Sequence, residues 1–167
     1  MAHYTIGIIG GTGREGRGLG YRWALAGHQI VIGSRSEEKA QAAVGLIKEM
    51  LNGQGEIRGT TNAQAVEACD IAVLTVPFEA HKSTLEGLKS QLMGKLLIDV
   101  VVPLVPPKVT RVTMPPEGSA AQQAVAVLGP DARVTAAFQT ISFERLLSGE
   151  AIDSDVLVCG TDKEARE

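Results

Sequence analysis

The chain has 167 residues, a formal net charge of −3, 44% hydrophobic residues and only 4% aromatics. That length suits one domain, and its core has to be built from Val, Ile, Leu and Ala, as in a parallel sheet under alanine-rich helices. The charge balance and the lack of any Lys/Arg block speak against a nucleic-acid partner. No apolar run approaches the ~18 residues of a membrane span, and MAHYTIGIIGG is no export signal, so a cytoplasmic protein away from membranes is expected. Cys69 and Cys159 fit no metal or redox spacing; each sits beside an apolar run, and both are expected to be buried free thiols, with no metal site.

In chain order, residues 5–9 read as a buried strand broken by the glycines of GGTGREG. A helix over 16–26 follows, closed by Gly27, then a strand over 29–33. Ser36 reads as an N-cap, with Glu37 and Glu38 at the positive end of a helix that runs to about Leu51 and stops at Asn52-Gly53. An extended piece over 56–60 leads to Thr61-x-x-Gln64, a capping box opening a brief helix. A strand over 70–76 ends at Pro77, and an amphipathic helix over 79–92 carries Leu85, Leu88 and Leu92 on one side.

A strand over 95–102 precedes a stretch held extended by Pro103, Pro106 and Pro107. Ser119-x-x-Gln122 caps a helix to Leu128, followed by a strand over 133–138, a short helix over 142–147 and a last strand over 155–159. Thr161 then begins a helix that stops almost at once, which gives the expectation of a C-terminally shortened chain. Strands alternating with helices imply right-handed crossovers. The expected fold is α/β: a single Rossmann-type domain over 1–167, doubly wound, with a mainly parallel sheet.

Gly11-Thr12-Gly13-Arg14-Glu15-Gly16 is a G-x-G-x-x-G between an apolar strand and a helix, the context in which that pattern binds dinucleotides. Gly11 would turn the chain, Gly13 would admit a pyrophosphate to the backbone, and Gly16 would let the helix pack closely. The pyrophosphate would sit at the helix amino terminus. NAD enzymes place Asp or Glu at the end of the second strand to accept from the ribose hydroxyls. Here the strand ends in Gly33-Ser34-Arg35, with Lys39 one turn on. A hydroxyl donor and two cations in place of an acid suit the 2′-phosphate of NADP(H); Glu37 and Glu38 are expected to face away.

Val76 and Pro77 follow a strand whose end lines the ribose and nicotinamide in doubly wound sheets, and Phe78 would wall the pocket. His81 lies in a helical stretch without an evident partner and reads as a surface or rim histidine. There is no nucleophile constellation, so the catalytic residues are unknown from sequence. The lack of a proton donor of the usual kind leans toward hydride passage between two bound cofactors, which needs positioning and exclusion of water.

TIGIIGGTGREGRGLGYRWALAGHQIVIGSR, EEKA, ACDIAVLTVPFEAH and VVPLVPP together resemble the NADPH-dependent coenzyme F420 reductases, also called F420-dependent NADP oxidoreductases. PPEGSAAQQ, AAFQTI and DSDVLVCG look like the bacterial branch. The resemblance covers essentially the whole chain, and a more distant one exists to the cytoplasmic domain of membrane ferric reductases. It implies reversible hydride transfer between NADP(H) and the deazaflavin coenzyme F420. It places Thr12, Ser34, Arg35 and Lys39 on the 2′-phosphate, Gly13, Arg14 and Glu15 along the pyrophosphate, and Val76 with Pro77 beside the nicotinamide ribose. Gln139, Thr140 and Ile141 would lie near the nicotinamide and deazaflavin rings. Family members continue past the segment resembling 159–166 into a helical region that encloses the deazaflavin and contributes to a homodimer, and that region is absent here. Two other readings stay open: a stand-alone NADP(H)-binding or sensing domain, and an NADPH-dependent reductase of a flavin or imine.

Overall fold

A computed structural model describes residues 2–104 and 111–167; Pro106 and Pro107 lie outside the described residues. The elements run β1 (Thr5–Ile9), α1 (Arg14–Leu25), β2 (Gln29–Ser34), α2 (Glu37–Met50), β3 (Ile57–Thr61), α3 (Asn62–Ala68) and β4 (Ile71–Leu74). They continue with α4 (Phe78–Leu92), β5 (Leu96–Asp99), α5 (Ala120–Leu128), β6 (Arg133–Ala136), α6 (Phe143–Leu147) and α7 (Lys163–Arg166). All five strand pairings are parallel, in the order β3-β2-β1-β4-β5-β6. This is a doubly wound Rossmann sheet, and its order reverses between β1 and β4, where such sheets open a crevice at the carboxyl ends of their strands.

The strands are short apolar runs because both of their faces are covered. Side chains alternate across the sheet: Ile6, Ile8 and Val73 join the core under α1, α2 and α6. Ile9, Ala72 and Leu74 join the core under α3, α4 and α5. Ile8, Ile9 and Leu74 are fully buried, each contributing about 1.5–3 kcal/mol by transfer from water. Capping sets the helix starts where the sequence placed them: Ser36 on α2, Thr61 with Gln64 on α3, Ser119 on α5. At the end of α1, Gly27 N–H and His28 N–H donate back to Ala24 and Trp23 at 3.0 Å each, a Schellman closure. No helix among the described residues is long and apolar enough to cross a membrane.

Several expectations are corrected. α1 begins at Arg14, two residues early, because Gly13 already serves as its N-cap. β4 and β5 are shorter than expected, since the chain leaves the ladder at Thr75 and at Val100 to form loops over the carboxyl end of the sheet. The expected strand over 155–159 does not form. Cys159 meets Ala136 in a single antiparallel bridge, with N–H···O distances of 2.8 and 2.9 Å, and Val156, Leu157 and Val158 are 38%, 71% and 41% exposed. A parallel neighbour for β6 would need a long crossover; the chain returns from α6 in the opposite direction and pairs at one residue only. Cys159 is accordingly exposed, and only Cys69 is a buried thiol. Asp162, not Thr161, caps the last helix: its Oδ1 accepts from Glu164 and Ala165 N–H at 3.0 and 3.3 Å.

Candidate functional site

A cleft of about 570 Å³ opens at the carboxyl ends of β1, β2 and β4. Its lining includes Thr12, Ser34, Arg35, Lys39, Val76 and Pro77. A smaller cavity of about 410 Å³ lies at the opposite end of the strands, among Thr5, Gln29 and Lys48, and none of the motif residues reaches it.

The glycine loop is built for close approach. The left-handed residue is Gly10, at φ +70°, rather than Gly11. A Cβ there would stand 2.5 Å from Val76 Cγ1, and Gly10 N–H is held by Asn62 Oδ1 at 3.0 Å. Gly11 instead sits where a Cβ would meet the Ile8 carbonyl at 2.9 Å, and Gly16 where it would meet Gly11 Cα at 2.7 Å and Thr75 Oγ1 at 2.8 Å. Those two glycines are packing requirements. Gly13 differs: a Cβ there would meet nothing within 4 Å. The open space beside it faces the start of α1, whose first-turn amides receive no side-chain cap. Uncapped amides and the helix dipole make an anion site. Among the described helices only α1 and α4 lack a side-chain cap.

At the tip of β2, Ser34 is buried and its Oγ accepts from Ser36 N–H at 3.3 Å, which leaves the hydroxyl hydrogen for an acceptor in the cleft. Arg35 and Lys39 are exposed on the cleft rim, and no ion pair among the described residues engages either. Glu37 and Glu38 are exposed on the first turn of α2 and do not line the cleft. The cleft therefore presents several hydroxyls, Ser34 among them, and the cations Arg35 and Lys39, with no carboxylate among its lining residues, next to the uncapped start of α1.

Not every expected residue gathers there. Arg14 turns its guanidinium over the Phe143 ring at 5.1 Å. Glu15 is half-buried, and burial pushes its carboxyl up to about 7; its Oε1 has no hydrogen-bond partner. Gln139 donates Nε2 to the Asp99 carbonyl at 2.8 Å, so it ties the loop after β6 to the end of β5. Thr140 is exposed, and Ile141 packs on the first core beside Phe138, whose φ of +71° is a backbone outlier for a bulky residue. None of Gln139, Thr140 or Ile141 lines the cleft itself.

Sequence reasoning missed Asn62 and the cleft face of α4: Ala80, Ser83, Thr84 and Gly87. The signal for the latter was a row of small residues at 3–4 spacing beside the leucine face; Asn62 carried none beyond its place in a capping box.

The reading of His81 as a surface or rim histidine is overturned. It is fully buried, with Nδ1 at 2.9 Å from Gln123 Oε1 and Nε2 at 2.8 Å from Asp99 Oδ2. Gln123 donates Nε2 to Glu117 Oε2 at 3.2 Å, and the reversed amide would set its oxygen against that carboxylate. Both ring nitrogens thus face acceptors, an arrangement that favours the protonated ring beside Asp99. Burial opposes that charge, but the hydrogen bond and charge of Asp99, the Gln123 bond and the charge of Glu117 outweigh it and raise the His81 pKa. The partners come from positions 18 and 42 residues away, so no local pattern announced them.

Comparison with known proteins follows the same lines. Residues 5–103 match the family model described as NADP oxidoreductase coenzyme F420-dependent. The F420-dependent NADP reductase of Methanocaldococcus jannaschii is 39% identical over 97% of this chain and 75% of its own length. That of Methanothermobacter thermautotrophicus is 39% identical over 97% of this chain and 72% of its own. A solved structure from Arthrobacter, assigned as an F420-dependent NADP-reductase, superposes with a TM-score of 0.77 at 24% identity, covering 97% of this chain and 76% of that one. It supports the fold.

Proposed function

The chain belongs to the coenzyme F420-dependent NADP oxidoreductase family, and from that premise we propose that it transfers a hydride between NADP(H) and coenzyme F420. The observation that carries this reading is the tip of β2, where Ser34-Arg35 stands in place of an acid beside an uncapped helix amino terminus. When bound, the two cofactors supply the chemistry: a hydride donor and a deazaflavin acceptor. The residues of the chain bind, orient and exclude water.

The cradle fits the dinucleotide. The empty space at Gly13 admits a pyrophosphate to the α1 amides. Thr12, Ser34, Arg35 and Lys39 take the 2′-phosphate, with Arg35 able to fork onto its oxygens. Val76 and Pro77 bound the nicotinamide ribose, and Gln139, Thr140 and Ile141 stand toward the reacting rings. Gly11 and Gly16 shape the loop without contacting phosphate. Arg14 and Glu15 flank the pyrophosphate, Arg14 from its seat on Phe143 and Glu15 as a carboxyl whose ionisation burial pushes up to about 7. A cytoplasmic location, the absence of nucleic-acid and membrane partners, a homodimer and a single nucleotide-binding domain over 1–167 belong to the same proposal.

The test is anaerobic mixing of protein, NADPH and oxidised F420, followed through the deazaflavin absorbance with FMN and a cyclic imine as parallel acceptors. Bleaching of F420 alone is the expected result. Oxidation of NADPH only with FMN or the imine would replace the acceptor, and binding without transfer to any of them would reduce the role to that of a nucleotide-binding domain.

A further inference from the structure

The buried pair His81–Asp99 has no part in the binding scheme above, yet it sits where the elements around the cleft converge. His81 lies in the first turn of α4, the helix whose neighbouring face lines the cleft through Ala80, Ser83 and Thr84. Asp99 ends β5, and every acceptor it owns is used. Its Oδ2 takes His81, and its Oδ1 takes Val101 N–H at 2.9 Å. Its carbonyl takes Gln139 Nε2 at 2.8 Å and Ala137 N–H at 3.3 Å. Next to it, Val100 N–H donates to the Leu74 carbonyl at 3.2 Å, one residue before Thr75-Val76-Pro77 enters the cleft wall. The buried side-chain pair thus joins the start of α4 to the loop after β5, and the backbone carbonyl of the same Asp99 carries the loop after β6. Gln123 and Glu117 fix the far side of the ring.

Stability alone is a poor reason for such a pair. Desolvating two charges costs as much as their attraction returns, and well-packed apolar residues of the same volume do as well or better. What a fully hydrogen-bonded ion pair supplies over an apolar contact is a defined geometry.

We propose that His81 and Asp99 are positioning residues for the nicotinamide end of the cleft, holding α4 and the loops after β5 and β6 in register while touching no ligand. This rests on the assignment of the cleft to NADP(H). The adenine end, at Ser34, Arg35 and Lys39, is carried by β2 and α2, to which neither residue of the pair is hydrogen-bonded, so the two ends of the cleft should respond differently.

The test compares two ligands in Asp99→Asn and His81→Gln, which remove one charge while keeping shape. The fragment 2′,5′-ADP engages only the adenine and 2′-phosphate end; NADPH engages both. The expected result is 2′,5′-ADP affinity within about twofold of the unaltered chain, NADPH binding about tenfold weaker, and turnover with F420 down by about a hundredfold, the scale of loss from a small misplacement. A purely structural defect would scale both ligands by the same folded fraction. Equal losses for both, or no loss for either, would overturn the proposal. If Asp99→Asn does not fold, the double variant His81→Gln/Asp99→Asn, which buries no charge, is read by the same ratio. Failure of the unaltered chain to bind NADPH would overturn the cleft assignment and this inference with it, a failure visible before any substitution is made.

Discussion

The two halves of the sheet treat their polar groups in opposite ways. On the β1–β3 side, donors are left unsatisfied by the protein: the α1 amides lack a cap, Ser34 retains a free hydroxyl hydrogen, and Arg35 and Lys39 have no ion-pair partner among the described residues. On the β4–β6 side, the polar groups His81, Asp99 and Gln123 are buried and paired with one another. Buried polar groups are costly unless satisfied. Groups that stay open therefore await something from outside, and groups that are closed hold the frame. On the function proposed here, the first half binds and the second half sets where the binding elements stand.

The largest expected effect lies in the open half. Gly13→Val should abolish measurable NADP(H) binding while leaving circular dichroism unchanged, since its side chain enters only the space meant for the pyrophosphate. Gly16→Val is the contrast, because its side chain meets backbone at 2.7 Å and should lower the melting temperature as well. Normal nucleotide titration of a folded Gly13→Val protein would break the comparison at its first term.

In the closed half, His81→Ala should cost about 3–5 kcal/mol in urea denaturation, because it strands the Asp99 carboxylate in the core. The pH dependence has a definite sign. The His81 pKa is raised in the folded protein, so its stabilisation is fully present below its unfolded value of about 6.5 and is lost as pH rises through the folded one. Denaturation midpoints should fall along the alkaline limb, and that fall should be shallower in His81→Gln, where only the Glu15 contribution remains. A limb of the same slope in both proteins would show that the imidazolium is not the titrating group.

Arg35→Ala should weaken NADP by about ten- to a hundredfold, the equivalent of about 1.5–3 kcal/mol for a charge-assisted hydrogen bond, and leave NAD nearly unchanged. Parallel losses for both dinucleotides in calorimetry would remove the 2′-phosphate from this corner of the cleft.

The smallest effect expected is at Glu15. Burial raises its carboxyl from 4.5 to about 7, so folding disfavours the ionised form, and stability drains away as pH climbs from the unfolded value through about 7. Because the side chain is only half-buried, solvent screening reduces the effect, and Glu15→Gln should gain about 1 kcal/mol at pH 8. It should also flatten any alkaline loss of NADP affinity, since a carboxylate there would repel the pyrophosphate. Unchanged stability at pH 8 would place Glu15 in water rather than against the α1 packing.

What could be read from the chain depended on the range of the interactions. GGTGREG, GSR and Ser36 act on their own backbone within a few residues, so strand, turn, helix and phosphate corner were all legible. Even so, the left-handed position fell on Gly10 and not Gly11, and Val76, 66 residues away, occupies the space that a side chain at Gly10 would need. The apolar run Val156-Leu157-Val158 read as a strand because composition is blind to direction: the chain arrives antiparallel to β6 and pairs at Cys159 alone.

By itself, the sequence determined the alternation of strands and helices, the acid-free Ser34-Arg35 tip at the end of β2 and the family to which the chain belongs. Each of these is carried by periodicity, by caps or by contiguous motifs. Only the tertiary structure decided that His81 is buried between Asp99 and Gln123, that Asp99 joins three elements, and that Asn62 and one face of α4 complete the cleft. Those facts depend on which side chains a parallel sheet brings side by side from distant positions, and a pairing enforced by desolvation leaves no spacing along the chain to be read.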